Sequence, residues 1–332
     1  MVTKVRETKG NHMKAVQIQD YGSASDLAVV ETNKPAIAAG QLLVRIGAAG
    51  INPVDTYIRS GTNNYQASFP HTPGNDGAGT VVEVADDVTE FKVGDRIYFS
   101  RCLSGSSAEY ASCLAEKAFP LPDSLSFEQG ACLGVPYTTA HRALFGRAHA
   151  QAGQKVLIHG GTGAVGIAAV QLALAAGLKV VASAGSDEGI KLLKNQGVND
   201  VINHKEADHL APFQNLENGF DIIIEMLADQ NLDQDLKALT HGGCVAVIGN
   251  RGTVEINPRD LMARDAAVVG VALANVTAPV LKQIAQSLFP LLESGLLKPV
   301  VRRTYTLAEL GQAHEDVLLA GALGNLVVTL AD

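Results

Sequence analysis

The chain has 332 residues, a formal net charge of −8, 47% hydrophobic and 18% charged residues. That length suits two domains at roughly 100–200 residues each, and the apolar fraction excludes a disordered chain. The acidic balance, with Lys and Arg spread along the chain and in no run, excludes a general binder of nucleic-acid backbone. No apolar stretch is long enough to span a bilayer, and the N-terminal MVTKVRETKGNHM lacks the apolar core of a signal peptide. It reads as an extension ahead of a first strand near Met13. Cys102, Cys113, Cys132 and Cys244 form no CxxC pair, so they read as free thiols of a reducing, cytoplasmic compartment and offer no structural zinc site.

From Met13 to about Cys132 short β-like runs alternate with Gly, Pro and Asn; LLVRIGAAG, TVVEVA and DRIYFS are examples. They predict a strand-rich domain with long loops over 1–134. The rhythm then becomes strand, turn, helix across 135–275. KVLIH is an apolar strand, 165–176 a helix stopped by Gly177, and KVVAS the next strand. A helix over 187–195 follows, with Ser186 as N-cap and Gly197 just past its end. DVINH, FDIIIEML, CVAVIG and AAVVGVAL complete the series. Continuous apolar runs of this kind are buried parallel strands, so the fold class is α/β, a doubly wound parallel sheet. A helix near 278–293, one near 307–319 and the strand LVVTL form a C-terminal return, 276–332, to the first domain.

The strongest motif is KVLIHGGTGAVG at 155–166. Gly161, Gly163 and Gly166 match G-x-G-x-x-G between an apolar strand and an apolar helix, the context that dinucleotide binding requires. Glycines let backbone N–H groups approach a pyrophosphate, and the helix N-terminus adds a favourable dipole. No Gly-Lys-Ser/Thr follows, which excludes a Walker A loop. An NAD site carries Asp or Glu about 20 residues on, bound to the ribose 2′-hydroxyl. Here the second strand ends VVASAGS and offers Ser183, Gly185 and Ser186 but no carboxylate before Asp187. That favours NADPH, with His204 and Lys191 available to a 2′-phosphate.

The chain resembles the medium-chain dehydrogenase/reductases, and among them the zeta-crystallin-type quinone oxidoreductases. The resemblance rests on INPVDTYIRSG (51–61), TPGNDGAG (72–79), VGDRI (93–97), GVPYTTA (134–140), the glycine loop, IIIEMLA (222–228) and RGTVEINPRD (251–260). It implies a Rossmann domain inserted in a GroES-like catalytic domain, with NADPH in the cleft. It places Tyr57 beside the nicotinamide and Thr139, from GVPYTTA, among the cofactor residues. Thr162, Gly163, Ala164 and Val165, between Gly161 and Gly166, cradle the pyrophosphate. Gly185, Ser186 and His204 hold the adenosine end. Asn231, Ile248, Gly249, Asn250, Arg251, Val271, Ala272 and Leu273 line the rest. A homodimer or homotetramer is implied. Two features depart from the relatives: Asn325 stands where they carry Lys, and 205–219 is slightly shorter.

In alcohol-dehydrogenase relatives a Cys and a His hold a catalytic zinc, which polarises the reacting oxygen. The matching residues here are Asn52 and Asn75, so no metal site is expected. Without a Lewis acid simple alcohol oxidation is hard, whereas a quinone accepts electrons readily. Asn52 and Tyr57 are the expected catalytic hydrogen-bond donors, with Tyr57 chiefly packing and positioning; Asn also suits turns, so Asn75 equally reads as a loop-shaping residue and Asn52 less so. The resemblance therefore implies an NADPH-dependent quinone reductase. An enone or alkenal reductase is the enzymatic alternative. A structural or RNA-binding role is the other, against which the acidic balance argues.

Overall fold

The computed structural model describes residues 11–330, so most of the expected N-terminal extension lies outside the described residues. The chain divides into two compact units. One comprises 11–134, Arg303–Leu318 and 326–330; the other comprises Val135–Arg302 and Leu319–Asn325.

The first unit is built on short antiparallel strands. β1 (His12–Gln17) pairs with β2 (Ala28–Asn33) as a separate ribbon. β3 (Gln41–Ile51) runs into α1 (Pro53–Ser60) and is followed by β4 (Asp76–Val84), β5 (Arg96–Phe99), β6 (Tyr110–Leu114) and β7 (Ala118–Pro120), then the single turn α2 (Phe127–Gly130). β14 (Val301–Tyr305), α9 (Leu310–Asp316) and β15 (Asn325–Thr329) come from the C-terminus. The larger sheet has the order β14-β15-β3-β4-β5-β7, with β6 also paired to β3. Leu42, Val44, Ile46, Val81, Ile97 and Phe99 form its core. Gly79 permits the β3–β4 contact, because a Cβ there would lie 2.0 Å from the Arg45 carbonyl oxygen.

The second unit alternates strand and helix: α3 (Gly134–His141), β8 (Lys155–Ile158), α4 (Ala164–Ala175), β9 (Lys179–Ala184), α5 (Asp187–Asn195), β10 (Asp200–Asn203), β11 (Phe220–Glu225), α6 (Ala228–Lys237), β12 (Leu239–Val247), α7 (Pro258–Met262), β13 (Ala267–Gly270) and α8 (Ala278–Glu293). The sheet order β10-β9-β8-β11-β12-β13 is parallel throughout, the Rossmann order 3-2-1-4-5-6. The continuous apolar strands are buried as expected. Val156, Leu157, Ile158, Ile222, Ile223 and Ile224 are all 1% exposed or less. Helix α4 is apolar on every side because it is buried nearly all round. Gly177, at φ +75°, ends it, with the Leu178 N–H reaching back to the Ala173 carbonyl. Ser186 caps α5, its Oγ accepting the Gly189 N–H at 3.2 Å.

The C-terminal return begins later than the expected residue 276. Helix α8 and the segment to Arg302 belong to the second unit. The reason is a buried amide. Gln171, on α4, accepts from the Tyr137 hydroxyl (2.7 Å) and the Lys298 N–H (2.9 Å), and donates to Gln196 Oε1 (2.7 Å) and the Lys298 carbonyl (2.8 Å). This pins the chain after α8 to α4. Replacing it by Leu strips four partners of one group in a water-poor setting. Gln171→Leu should cost about 2–4 kcal/mol of stability, read as a lowered urea midpoint.

Candidate functional site

The sequence-predicted dinucleotide residues converge at one place, the C-terminal edge of the parallel sheet, where open α/β sheets bind ligands. β8 ends at His159 and the glycine loop, and β9 at Gly185 and Ser186. His204 follows β10, Met226 follows β11, Ile248 to Arg251 follow β12, and Val271 to Leu273 follow β13. Thr139 stands apart in sequence, buried on α3.

The loop is held from beneath. The Gly161 N–H donates to the Ser183 carbonyl (2.9 Å) and the Gly160 N–H to Ser183 Oγ (3.1 Å). Gly160, at φ +55°, carries the left-handed turn, while Gly163 has φ −75° and serves as N-cap of α4. The three motif glycines do different work. A Cβ on Gly166 would sit 2.1 Å from the Gly160 carbonyl oxygen, and one on Gly161 would sit 2.9 Å from the Ala182 side chain. A Cβ on Gly163 meets only Gly160 O, at 3.5 Å, an ordinary contact. Gly161 and Gly166 are therefore required by packing, and Gly163 leaves space on the outer side of the loop. The first N–H of α4 to reach back is that of Ile167, onto the Gly163 carbonyl at 2.8 Å. The Ala164, Val165 and Gly166 N–H groups have no acceptor within the helix and suit a pyrophosphate.

At the second strand the expectation gains a residue that the sequence did not point to. A Cβ on Gly185 would lie 2.5 Å from His204 Nε2 and 3.2 Å from Lys205 Cε. Pairing of β9 with β10 brings these side chains over Gly185, and Lys205 is the permanent cation of the pair. Its only sequence signal is adjacency to His204. Burial, then the nearby His159, His209 and Lys205, hold the His204 imidazole below its ordinary pKa, so it is neutral at pH 7.

The third wall hangs on Glu225, the last residue of β11. Its Oε1 accepts the Leu227 N–H and Asn231 Nδ2 (3.1 Å), and its backbone carbonyl accepts the Ile248 and Gly249 N–H groups at 2.8 and 3.3 Å. The Ala228 N–H returns to the Gly249 carbonyl at 3.0 Å. Asn250 and Arg251 are exposed, with the Arg251 N–H on Asp229 Oδ1 at 2.9 Å.

In the first unit, α1 starts with a capping box. The Asn52 N–H donates to Asp55 Oδ2 at 2.8 Å. Asn52 is 4% exposed and its Nδ2 donates to Asp76 Oδ2 at 2.9 Å. Asn75 donates from Nδ2 (2.7 Å) and N (3.2 Å) to Asp55 Oδ1. Burial lifts the Asp55 pKa to about 6, partly opposed by these three donors. Tyr57, half-buried on α1, packs its ring 6.3 Å from that of Tyr65. A cavity of about 510 Å³ opens beside the pair Asp55 and Asn75, lined also by His71, Cys102 and Ile58.

Residues 38–126 match the alcohol dehydrogenase GroES-like domain family, and residues 164–291 match a family described as zinc-binding dehydrogenase. The quinone oxidoreductase of Mus musculus is 44% identical over 324 residues, covering 96% of this chain and 98% of its own. The chain belongs to the zeta-crystallin-type quinone oxidoreductases. Among solved structures, a Pseudomonas syringae pv. Tomato DC3000 quinone oxidoreductase aligns with TM-score 0.85 and 28% identity, covering 96% of this chain and all (100%) of that one. A mycobacterial protein complexed with NADPH aligns with TM-score 0.86 and 27% identity over 96% and 100%.

The two asparagines lie at the start of α1 and just before β4. Here both carboxamides are bound to aspartates. Asn52 and Asn75 tie β4 and α1 together, a role that answers the expectation of loop-shaping residues. The four cysteines are free, and burial pushes the thiol of Cys102 up to about 12 and raises those of Cys113, Cys132 and Cys244, so each is held as a thiol. Asn325 is buried and donates to the Val300 carbonyl through N (2.8 Å) and Nδ2 (3.0 Å). No described helix is long and apolar enough to cross a membrane.

The loop geometry separates binding from folding. Gly163→Val should keep the parent's melting temperature within a few degrees and lose dinucleotide binding. Gly166→Val should instead destabilise the protein by about 3 kcal/mol or more, since backbone must move. Thermal denaturation beside a dinucleotide titration checks both, and equal behaviour of the two variants would contradict the division of roles.

Proposed function

We propose that the protein is an NADPH-dependent quinone reductase. The observation that carries this reading is the 44% identity, over 96% of the chain, to a quinone oxidoreductase, coupled to a cofactor-type loop at the edge of a Rossmann sheet. The residues present fit a reduced nicotinamide dinucleotide. The first-turn N–H groups of α4 suit its pyrophosphate, and Lys205 and His204, which pack against Gly185, offer a cation and a donor to a 2′-phosphate. When bound, the nicotinamide supplies a hydride. A quinone takes up two electrons and two protons overall and spreads the intermediate charge over its ring and oxygens, so protonation can come from water.

Tyr57 then orients the acceptor and the nicotinamide ring. Asn52, whose amide already serves Asp76, contributes by fixing the start of α1 on which Tyr57 stands. A quinone asks for no metal at this place, which suits two carboxamides bound to aspartates. A cytoplasmic location and a homodimer or homotetramer belong to the same reading, and sedimentation measures the latter.

Two outcomes test it. Purified protein should reduce simple quinones faster with NADPH than with NADH, while an enone panel run beside them reports the competing acceptor class. Lys205→Glu should weaken NADPH by about tenfold, the equivalent of 1.4 kcal/mol, and leave NADH almost unchanged; equal loss for both cofactors would remove Lys205 from the 2′-phosphate. Tyr57→Phe keeps the ring and removes the hydroxyl. We expect less than a tenfold loss of kcat with quinones, because an essential general acid contributes about 10²–10⁴-fold. A loss in that larger range would make Tyr57 the proton donor.

A further inference from the structure

Under the glycine loop lies a group of ionisable side chains that the proposed chemistry leaves unused. His159 closes β8, Glu225 closes β11 and Asp235 lies on α6, and all three are buried, at 3%, 0% and 0% exposure. β8 and β11 are adjacent, and between them the strand order of the sheet reverses. His159 Nε2 lies 2.7 Å from Asp235 Oδ1 and 3.5 Å from Glu225 Oε2. A carboxyl oxygen of Glu225, one of Asp235 and a ring nitrogen of His159 all lie within 4.8 Å of one another.

Two carboxylates this close offer each other only acceptors, and a proton on one of them turns the pair into donor and acceptor. Taken as acceptors only, Glu225 Oε2 and Asp235 Oδ2 are buried without a hydrogen-bond donor. A proton held between the carboxyls satisfies both, and it lowers the charge buried in a dry interior.

We propose that His159, Glu225 and Asp235 form a proton-sharing clasp whose bound proton holds the dinucleotide wall, Asn231 and the turn after β12, in its binding shape. The mechanical link is Glu225. One of its carboxyl oxygens carries Asn231 and the start of α6, and its backbone carbonyl carries the turn. The other carboxyl oxygen faces His159 and Asp235. Loss of the proton to solvent leaves two anions facing each other through one imidazole. The structure relieves that by moving Glu225 or admitting water, and either displaces Asn231. Glu225 acts through other groups and is a positioning residue.

The groups that face the clasp are few. Glu225 feels His159 from β8 and Asp235 from α6, and His159 feels Glu225. His204, after β10, feels His159 in turn. Burial raises Glu225 to about 8 and Asp235 to about 7, with His159 pulling Glu225 down and Asp235 pushing it up, while burial holds His159 below its ordinary value. A carboxyl whose folded pKa is raised lends stability below its unfolded pKa and loses it as pH rises through the folded value. The clasp therefore weakens as pH climbs from about 5 to about 8.

The proposal rests on the dinucleotide reading, and the test separates the two. In the cofactor-free protein, infrared spectroscopy at neutral pH should show a protonated-carboxyl carbonyl band that disappears in Glu225→Gln. In the same parent protein, the Kd for NADPH should rise between about pH 7 and 9, by at most tenfold per unit for one linked proton. Glu225→Gln keeps an acceptor for Leu227 and Asn231 and puts a fixed N–H donor toward Asp235. It should bind NADPH with a Kd that stays flat over that range. Absence of the carboxyl band in the parent, or an equal pH dependence of Kd in parent and variant, overturns the clasp. If the variant does not fold, the band and the parent's own Kd profile still decide, and a flat parent profile overturns it. A band without NADPH binding at any pH means that the dinucleotide reading has failed and takes the positioning role with it.

Discussion

Helix α4 starts as close to its strand as it does because Gly166 has no side chain. The Gly160 carbonyl occupies the space where a Cβ would be, 2.1 Å away, and Gly161 faces Ala182 of the neighbouring strand in the same way. This close approach sets the first turn of α4 at the edge of the sheet. The rest of the edge is arranged around that point. Ser183 on β9 fixes the loop through its carbonyl and hydroxyl, Glu225 on β11 fixes the opposite wall, and Gly185 leaves the space that His204 and Lys205 fill. A sheet built of apolar strands supplies stability in its body and presents polar backbone only at its ends, so binding chemistry accumulates there.

The first unit solves a different problem. A pair of aspartates, Asp55 and Asp76, is buried beside the start of α1. Metal charge would stabilise such carboxylates. Here the work falls to carboxamide and backbone donors: Asn52 Nδ2 on Asp76, and Asn52 N, Asn75 N and Asn75 Nδ2 on Asp55. Neutral donors only partly offset burial, so Asp55 remains a weaker acid than a surface aspartate.

Most of the second unit was legible in the sequence, because its signals are local. A buried parallel strand is a continuous apolar run, a helix end is a glycine, and a cap is a serine one residue before the helix. Each can be read within a window of about a dozen residues. What escaped depends on pairing across long separations. Lys205 matters only because β10 lies beside β9, which brings it over Gly185. Gln171 decides where the second unit ends through Lys298, which is 127 residues away, and a lone Gln in an apolar helix gives no hint of that. Asn52 illustrates a third case. Its residue type suits both a donor and a turn, and only the bond to Asp76 shows where its amide is engaged.

Four of the buried ionisable groups sit beside strand ends: Asp55 in the first turn of α1 after β3, Asp76 at the start of β4, His159 just after β8 and Glu225 at the end of β11, while Asp235 lies within α6. Turns leave backbone N–H groups without ladder partners, and a carboxylate oxygen accepts several at once. Glu225 takes the Leu227 N–H and Asp55 the Asn52 N–H in this way. An apolar residue would leave those N–H groups unsatisfied in the interior. A neutral amide would satisfy them but could not also hold a variable proton. Carboxyls at these corners therefore hold the turns in shape, and their cost in desolvation is met by donors at Asp55 and Asp76 and by a shared proton at Glu225. Asp55, raised to about 6, therefore titrates below neutrality, whereas Glu225, raised to about 8, titrates above it.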